Sequence, residues 1–129
     1  MDKIVTWFEE VSFAIPIESK KLLCALIFLV CIDYISGICV AIKNKAISSK
    51  VGAKGLATKI MIFIMVSIGA IIDHLLIGSG STIFNITMLF YSSNELISIC
   101  ENATQIGLPL PKKLISLLND IYAFIYITI

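Results

Sequence analysis

The chain contains no arginine: all ten of its cations are lysine, and it has one histidine, His74, and one tryptophan, Trp7. Arrangements that carry metal or nucleophile chemistry are missing as well. There is no C-x-x-C pair and no cysteine–histidine cluster at zinc spacing. There is no nucleophile elbow, no glycine-rich phosphate loop after a strand, and nothing that orients a base or supplies an oxyanion hole. Catalysis, a metal and a cofactor are therefore not expected. Cys24, Cys31 and Cys39 recur along one helical stripe and Cys100 closes a later apolar run, which reads as packing, the usual role of a buried cysteine. No cleavable signal is legible in Met1–Ile17, where acids are mixed with apolar residues.

Apolar sequence is abundant. The 129 residues are 58% hydrophobic, with a mean hydropathy of +0.98, against the ~45–50% apolar content of soluble domains. Three runs approach the ~20 residues that cross a hydrocarbon core of ~30 Å: 22–42, 60–78 and 82–100. What they leave over has no room for a soluble catalytic domain. The expected fold is a single all-α integral membrane domain of three transmembrane helices.

Each run carries one acid: Asp33, Asp73 and Glu95. An acid at mid-membrane costs roughly 2.5–3.5 kcal/mol, and anchoring alone needs none. Twelve Leu, Ile, Phe or Val residues in the first run outweigh Asp33. Asp33, Gly37 and Ala41 share one helix face, as do Val66, Gly69, Ala70 and Asp73 in the second run. Small residues permit close approach between membrane helices, and polar ones bond across the contact. The third run turns Phe84, Met88, Tyr91, Ser92, Glu95, Ile99 and Asn102 to one side, with Asn85 and Ser98 at the margins and Glu95 toward its inner end. These faces are expected to form helix seams or to line water, with Asp33 bearing the largest burial cost.

The run 43–59, KNKAISSKVGAKGLATK, holds Lys43, Lys45, Lys50, Lys54 and Lys59 without an acid, and Gly52 and Gly55 give it freedom to turn. It has no aromatic to stack a base, so nucleic acid is not expected. It reads as a basic cytoplasmic loop under the positive-inside rule. That puts the N-terminus outside and the C-terminus inside, where Lys112 and Lys113 join the loop lysines. In 1–17, Ile4, Phe8, Val11 and Ile15 recur at helical spacing until Pro16, and Ser19 is a candidate cap for the next helix. Gly107, Pro109 and Pro111 break the chain before 112–129, where Leu114, Leu117, Leu118, Ile121 and Ile125 oppose Ser116, Asn119 and Asp120. Both end segments read as amphipathic helices lying on the bilayer; a fourth, tilted span is the alternative for the second.

The stretch DYISGICVAIKNKAISSKVGAKGLATK from Asp33 to Lys59, the acid at Asp73, and NELISICENATQIGLPLPKKL from Asn94 to Leu114 resemble the bacteriophage holin family, which includes clostridial toxin-secretion holins. The shared pieces are Asp33 with Gly37; Ser48, Ser49, Gly52, Gly55 and Lys59; Asp73; Glu95, Ser98, Glu101 and Asn102; and Gly107, Pro109, Pro111 and Lys112. The resemblance implies a protein of the bacterial cytoplasmic membrane that homo-oligomerises into lesions, passing an endolysin to the wall or exporting a large toxin. The chain departs from that pattern in ending on IYAFIYITI instead of a charged tail. No second Met occurs before Met61, so any antagonist is expected to be a separate antiholin. Two other readings of the residues stay open: a small transporter or channel subunit, and a membrane scaffold without a pore.

Overall fold

Pro16 cannot donate a backbone hydrogen bond and holds Ile15 extended, so it ends α1 (Asp2–Ala14) and opens α2 (Ile17–Lys43). The chain turns at Asn44 and Lys45, the latter at φ 53°. Ser48 then starts α3 (Ser49–Ile72), its hydroxyl accepting from the Val51 N–H at 3.2 Å. α3 continues without interruption through a wider π turn, Asp73–Ile77, that stops at Gly78 with φ 84°. α4 (Thr82–Ile106) closes at Gly107, φ 98°, where the Leu108 N–H donates to the Ala103 carbonyl at 3.0 Å. Pro109 and Pro111 separate it from α5 (Lys112–Thr128). The computed structural model describes residues 1–128, without the side chains of residues 12, 122, 125, 126 and 128. The side chain of the expected apolar position Ile125 and the whole of Ile129 thus lie outside what is described. Every regular element among the described residues is helical.

α2 and α4 run parallel, with Ser19 beside Asn85 at one end and Lys43 beside Gln105 at the other. α3 returns antiparallel to both. α4 packs along most of α2 and along α3, while α2 and α3 touch each other over a short stretch. The apolar core is thin: Leu26 and Val30 from α2, Ile62 and Val66 from α3, Phe84 and Met88 from α4. Far more apolar surface points outward, including Phe28, Ile35, Ile64, Ile71 and Ile86. Bundles with apolar exteriors suit lipid, not water. α2 and α3 with its π turn are each long and apolar enough to cross a membrane. α4 has the length, at 25 residues, but its Ser, Thr, Asn and Glu make it less apolar than the other two.

Several expected boundaries shift. The helix containing the second run begins at Ser49, not at residue 60, because Ser48 caps it and no proline intervenes; the non-helical break shrinks to 44–48. Gly52 and Gly55 therefore do not serve a turn. They lie inside α3 and leave space for Tyr34, to which a Cβ at Gly55 would come within 3.3 Å. Ser19 does not cap α2; fully buried, its hydroxyl donates to Asn85 Oδ1 at 2.7 Å and lies 3.2 Å from Ser81 Oγ. Cys24, Cys31 and Cys39 face outward, since the inward face of α2 is taken by Leu26, Val30 and Asp33. In α1 the described side chains are exposed and pack against no other helix. α5 rests its buried Leu118 near the end of α4.

Gly69 and Asp73 fix the α3–α4 contact. A Cβ on Gly69 would lie 3.0 Å from Thr87 Oγ1 and 3.3 Å from the Ile83 carbonyl oxygen. Asp73, 2% exposed, accepts from the Ile83 N–H at 3.1 Å and the Phe84 N–H at 2.8 Å. Ser81, at the N-cap position of α4, makes no capping bond of its own, so the acid supplies the cap from the preceding helix and meets the positive end of the α4 dipole. Loss of a side-chain cap costs about 0.5–2 kcal/mol. Asp73→Ala is expected to destabilise the bundle by about that much and Asp73→Asn by less, measured by denaturation in micelles followed by circular dichroism; an Ala variant as stable as the parent would refute the capping role.

Candidate functional site

Halfway along the bundle, directly beyond the apolar core, the three helices each contribute a charged side chain. Asp33 lies on the inward face of α2 and Glu95 on that of α4, 7% and 5% exposed. Between them, from α3, comes Lys59. Its ammonium is hydrogen-bonded to Asp33 Oδ2 and donates to Glu95 Oε2 at 2.6 Å. Asn102, two turns further along α4, donates to Asp33 Oδ1 at 3.2 Å and to Ser36 Oγ at 2.8 Å, and Ser36 donates to the Asp33 carbonyl at 3.0 Å. Two carboxylates thus share one ammonium, leaving one formal negative charge when all three are ionised.

Lys59 was expected in the basic loop, and its position here is a correction with a simple cause. Starting α3 at Ser49 puts Lys59 three turns into the helix, on the side that faces α2 and α4. Glu95 changes place too: because α4 runs on to Ile106, the acid sits at mid-helix and not near an end. Asp73 remains apart from this layer, bound to main chain at the far end of the bundle. The three acids do not converge.

The other anticipated positions divide. Gly37 and Ala41 line a cleft beside the charged layer, and a Cβ at Gly37 would sit 3.9 Å from Asn102 Nδ2. Gly69 makes the α3–α4 contact, while Ala70 and Tyr91 pack against the apolar core. Ser92, one turn from Glu95, has a buried hydroxyl oxygen with no hydrogen-bond partner among the described residues. Lys43 donates to the Gln105 carbonyl at 2.6 Å, a cation closing the negative end of α4. Lys45, Lys50 and Lys54 are exposed at that same end. Gly107, Pro109 and Pro111 act as the helix break. No group of acids, histidines and cysteines among the described residues is arranged to hold a metal ion.

Sequence reasoning missed Lys59 as the partner of the acids, together with the Ser19–Asn85 bond and the Tyr34 seat on Gly52 and Gly55. The available signal was Ser48 followed by an unbroken stretch without proline, which permits helix from Ser49 onward. Removing one member of a buried ion pair costs roughly 3–5 kcal/mol, whereas replacing all members with apolar residues is often neutral or stabilising. Lys59→Met is therefore expected to destabilise the bundle strongly, and the triple variant Asp33→Leu, Lys59→Met, Glu95→Leu to recover most of the loss. Unfolding in micelles reads both; a Lys59→Met variant of parental stability would refute the structural role of the charged layer.

Comparison with known proteins identifies a family. The model of the bacteriophage holin family matches residues 14–123. An uncharacterized protein of Halalkalibacterium halodurans is 45% identical over 101 residues, covering 75% of each chain. One of Listeria monocytogenes is 40% identical over 101 residues, covering 78% of this chain and 71% of the relative. A protein of Bacillus phage phi105 named a probable holin is 36% identical over 91 residues, covering 70% of this chain and 67% of its own. No solved structure matches significantly. With a family match across nearly its whole length and a bundle whose apolar surface faces outward, the chain belongs to the bacteriophage holin family.

Proposed function

We propose that the protein self-associates in the bacterial cytoplasmic membrane and opens lesions that release an endolysin to the cell wall or export a large toxin. α2, α3 and α4 all span the bilayer in this reading. The 44–48 connection and Lys43, Lys45, Lys50 and Lys54 face the cytoplasm with Lys112 and Lys113, while Lys3, Lys20 and Lys21 lie outside. Moving Lys59 into the bundle leaves this lysine bias in place. α1 and α5 lie along the outer and inner interfaces. A separate antiholin is the expected antagonist.

The observation that carries the proposal is the charged layer of Asp33, Lys59 and Glu95. A buried ion pair is poor evidence for stability and better suited to a switch between two packings. In one chain the ammonium satisfies both acids away from lipid. When chains associate and α3 shifts against α2 and α4, the same faces turn to water, where carboxylates need no partner.

Vesicles loaded with both a small dye and a folded enzyme test the reading. The full chain is expected to release both, and the triple apolar variant neither. Release of dye alone would overturn the proposal in favour of a channel or transporter, and release of neither by the parent would favour a scaffold.

A further inference from the structure

Between the charged layer and the 44–48 connection, α2 and α3 diverge around a cleft of about 480 Å³. Ile38 and Ala41 from α2, Ile47 before α3, and Val51 on α3 give it apolar walls; Tyr34 and Lys54 add polar tips. Asp33, the one acid in the wall, is already held by Lys59 and Asn102. No ion pair among the described residues engages Lys54, and Lys50 is exposed one turn earlier on α3.

The groove is large enough for a ligand and is lined by polar as well as apolar side chains. Its volume falls in the range of small-molecule sites, ~300–1,000 Å³. A helix of ~10–12 Å diameter would exhaust it within about one turn, so a slender occupant fits better than a second copy. Apolar walls suit hydrocarbon, and Lys54 at the rim, with Lys50 exposed one turn earlier on α3, suits an anion. Basic pockets between membrane helices are suited to anionic headgroups.

We propose that this cleft binds one anionic phospholipid of the surrounding leaflet. An acyl chain lies along Ile38, Ala41 and Val51, and the phosphate sits within reach of Lys54 and Lys50. Lipid in the cleft wedges α2 from α3 beside the Asp33–Lys59 contact. The proposal rests on membrane location alone and is independent of pore formation, so a failed release assay leaves it standing.

Native mass spectrometry of the full chain in dodecylmaltoside, with added dioleoylphosphatidylglycerol or dioleoylphosphatidylcholine, provides the test. The parent is expected to retain one phosphatidylglycerol per chain in preference to phosphatidylcholine. Lys54→Gln should weaken that retention about fivefold, the attraction one lysine near an anionic surface supplies. Val51→Trp, at an exposed helical position, should fill the cleft and abolish retention of either lipid. The pair Lys112→Gln and Lys113→Gln, away from the cleft, should leave it unchanged, with circular dichroism confirming helix content throughout. Equal retention of the two lipids, or parental retention by Lys54→Gln and Val51→Trp, would overturn the assignment. So would a Val51→Trp variant that alters the number of chains per particle while still holding lipid, since a second copy would then own the cleft.

Discussion

The contact of Lys59 with Asp33 and Glu95 is the constraint around which the bundle is arranged. It is the point at which three helices meet through charge, and it fixes their rotation about their own axes. A helix turned by one residue, ~100°, would carry its charge out of the layer and into surroundings that cannot solvate it. The parallel setting of α2 and α4 follows from the two short reversals on either side of α3, and within it Asp33 and Glu95 reach one ammonium from similar depth. Asn102 and Ser36 extend the layer by satisfying the remaining oxygens of Asp33.

Polar contacts carry an unusual share of the specificity. Between helices in lipid, apolar burial supplies little driving force, since the acyl chains are as apolar as leucine. The thin core of Leu26, Val30, Ile62, Val66, Phe84 and Met88 provides shape, and polar links at intervals provide register. Ser19 with Asn85 sets one end of the α2–α4 pair, the charged layer its middle, and Lys43 on the Gln105 carbonyl its other end. Asp73 does the equivalent for α3 and α4 by capping one helix from the last turns of the other.

The sequence made much of this legible and hid the rest for definable reasons. The apolar runs, the breaks at Pro16, Gly107, Pro109 and Pro111, and the inward turn of Asp33 and Glu95 all follow from period and composition. Lysine hid the partner of the acids: a cation next to other cations reads as a solvated loop until the helix start at Ser49 is recognised. Glycine misled in the same region, because a pair spaced by three suggests a turn as readily as a seat for an aromatic ring. The outward stripe of cysteines shows the converse, since periodicity identifies a face without saying which side it presents.

The connections on either side of α3 carry a further consequence. Residues 44–48 join it to α2 and residues 78–81 to α4. A fully extended chain reaches at most ~3.3–3.6 Å per residue, so these tethers span no more than about 18 Å and 14 Å. Packed helices already stand ~8–10 Å apart. α3 can rotate or slide, but it cannot withdraw from its neighbours by the width of another protein. Under the proposed function, a passage wide enough for a folded enzyme would therefore have to be walled by several chains, since one bundle cannot open that far within its own tethers.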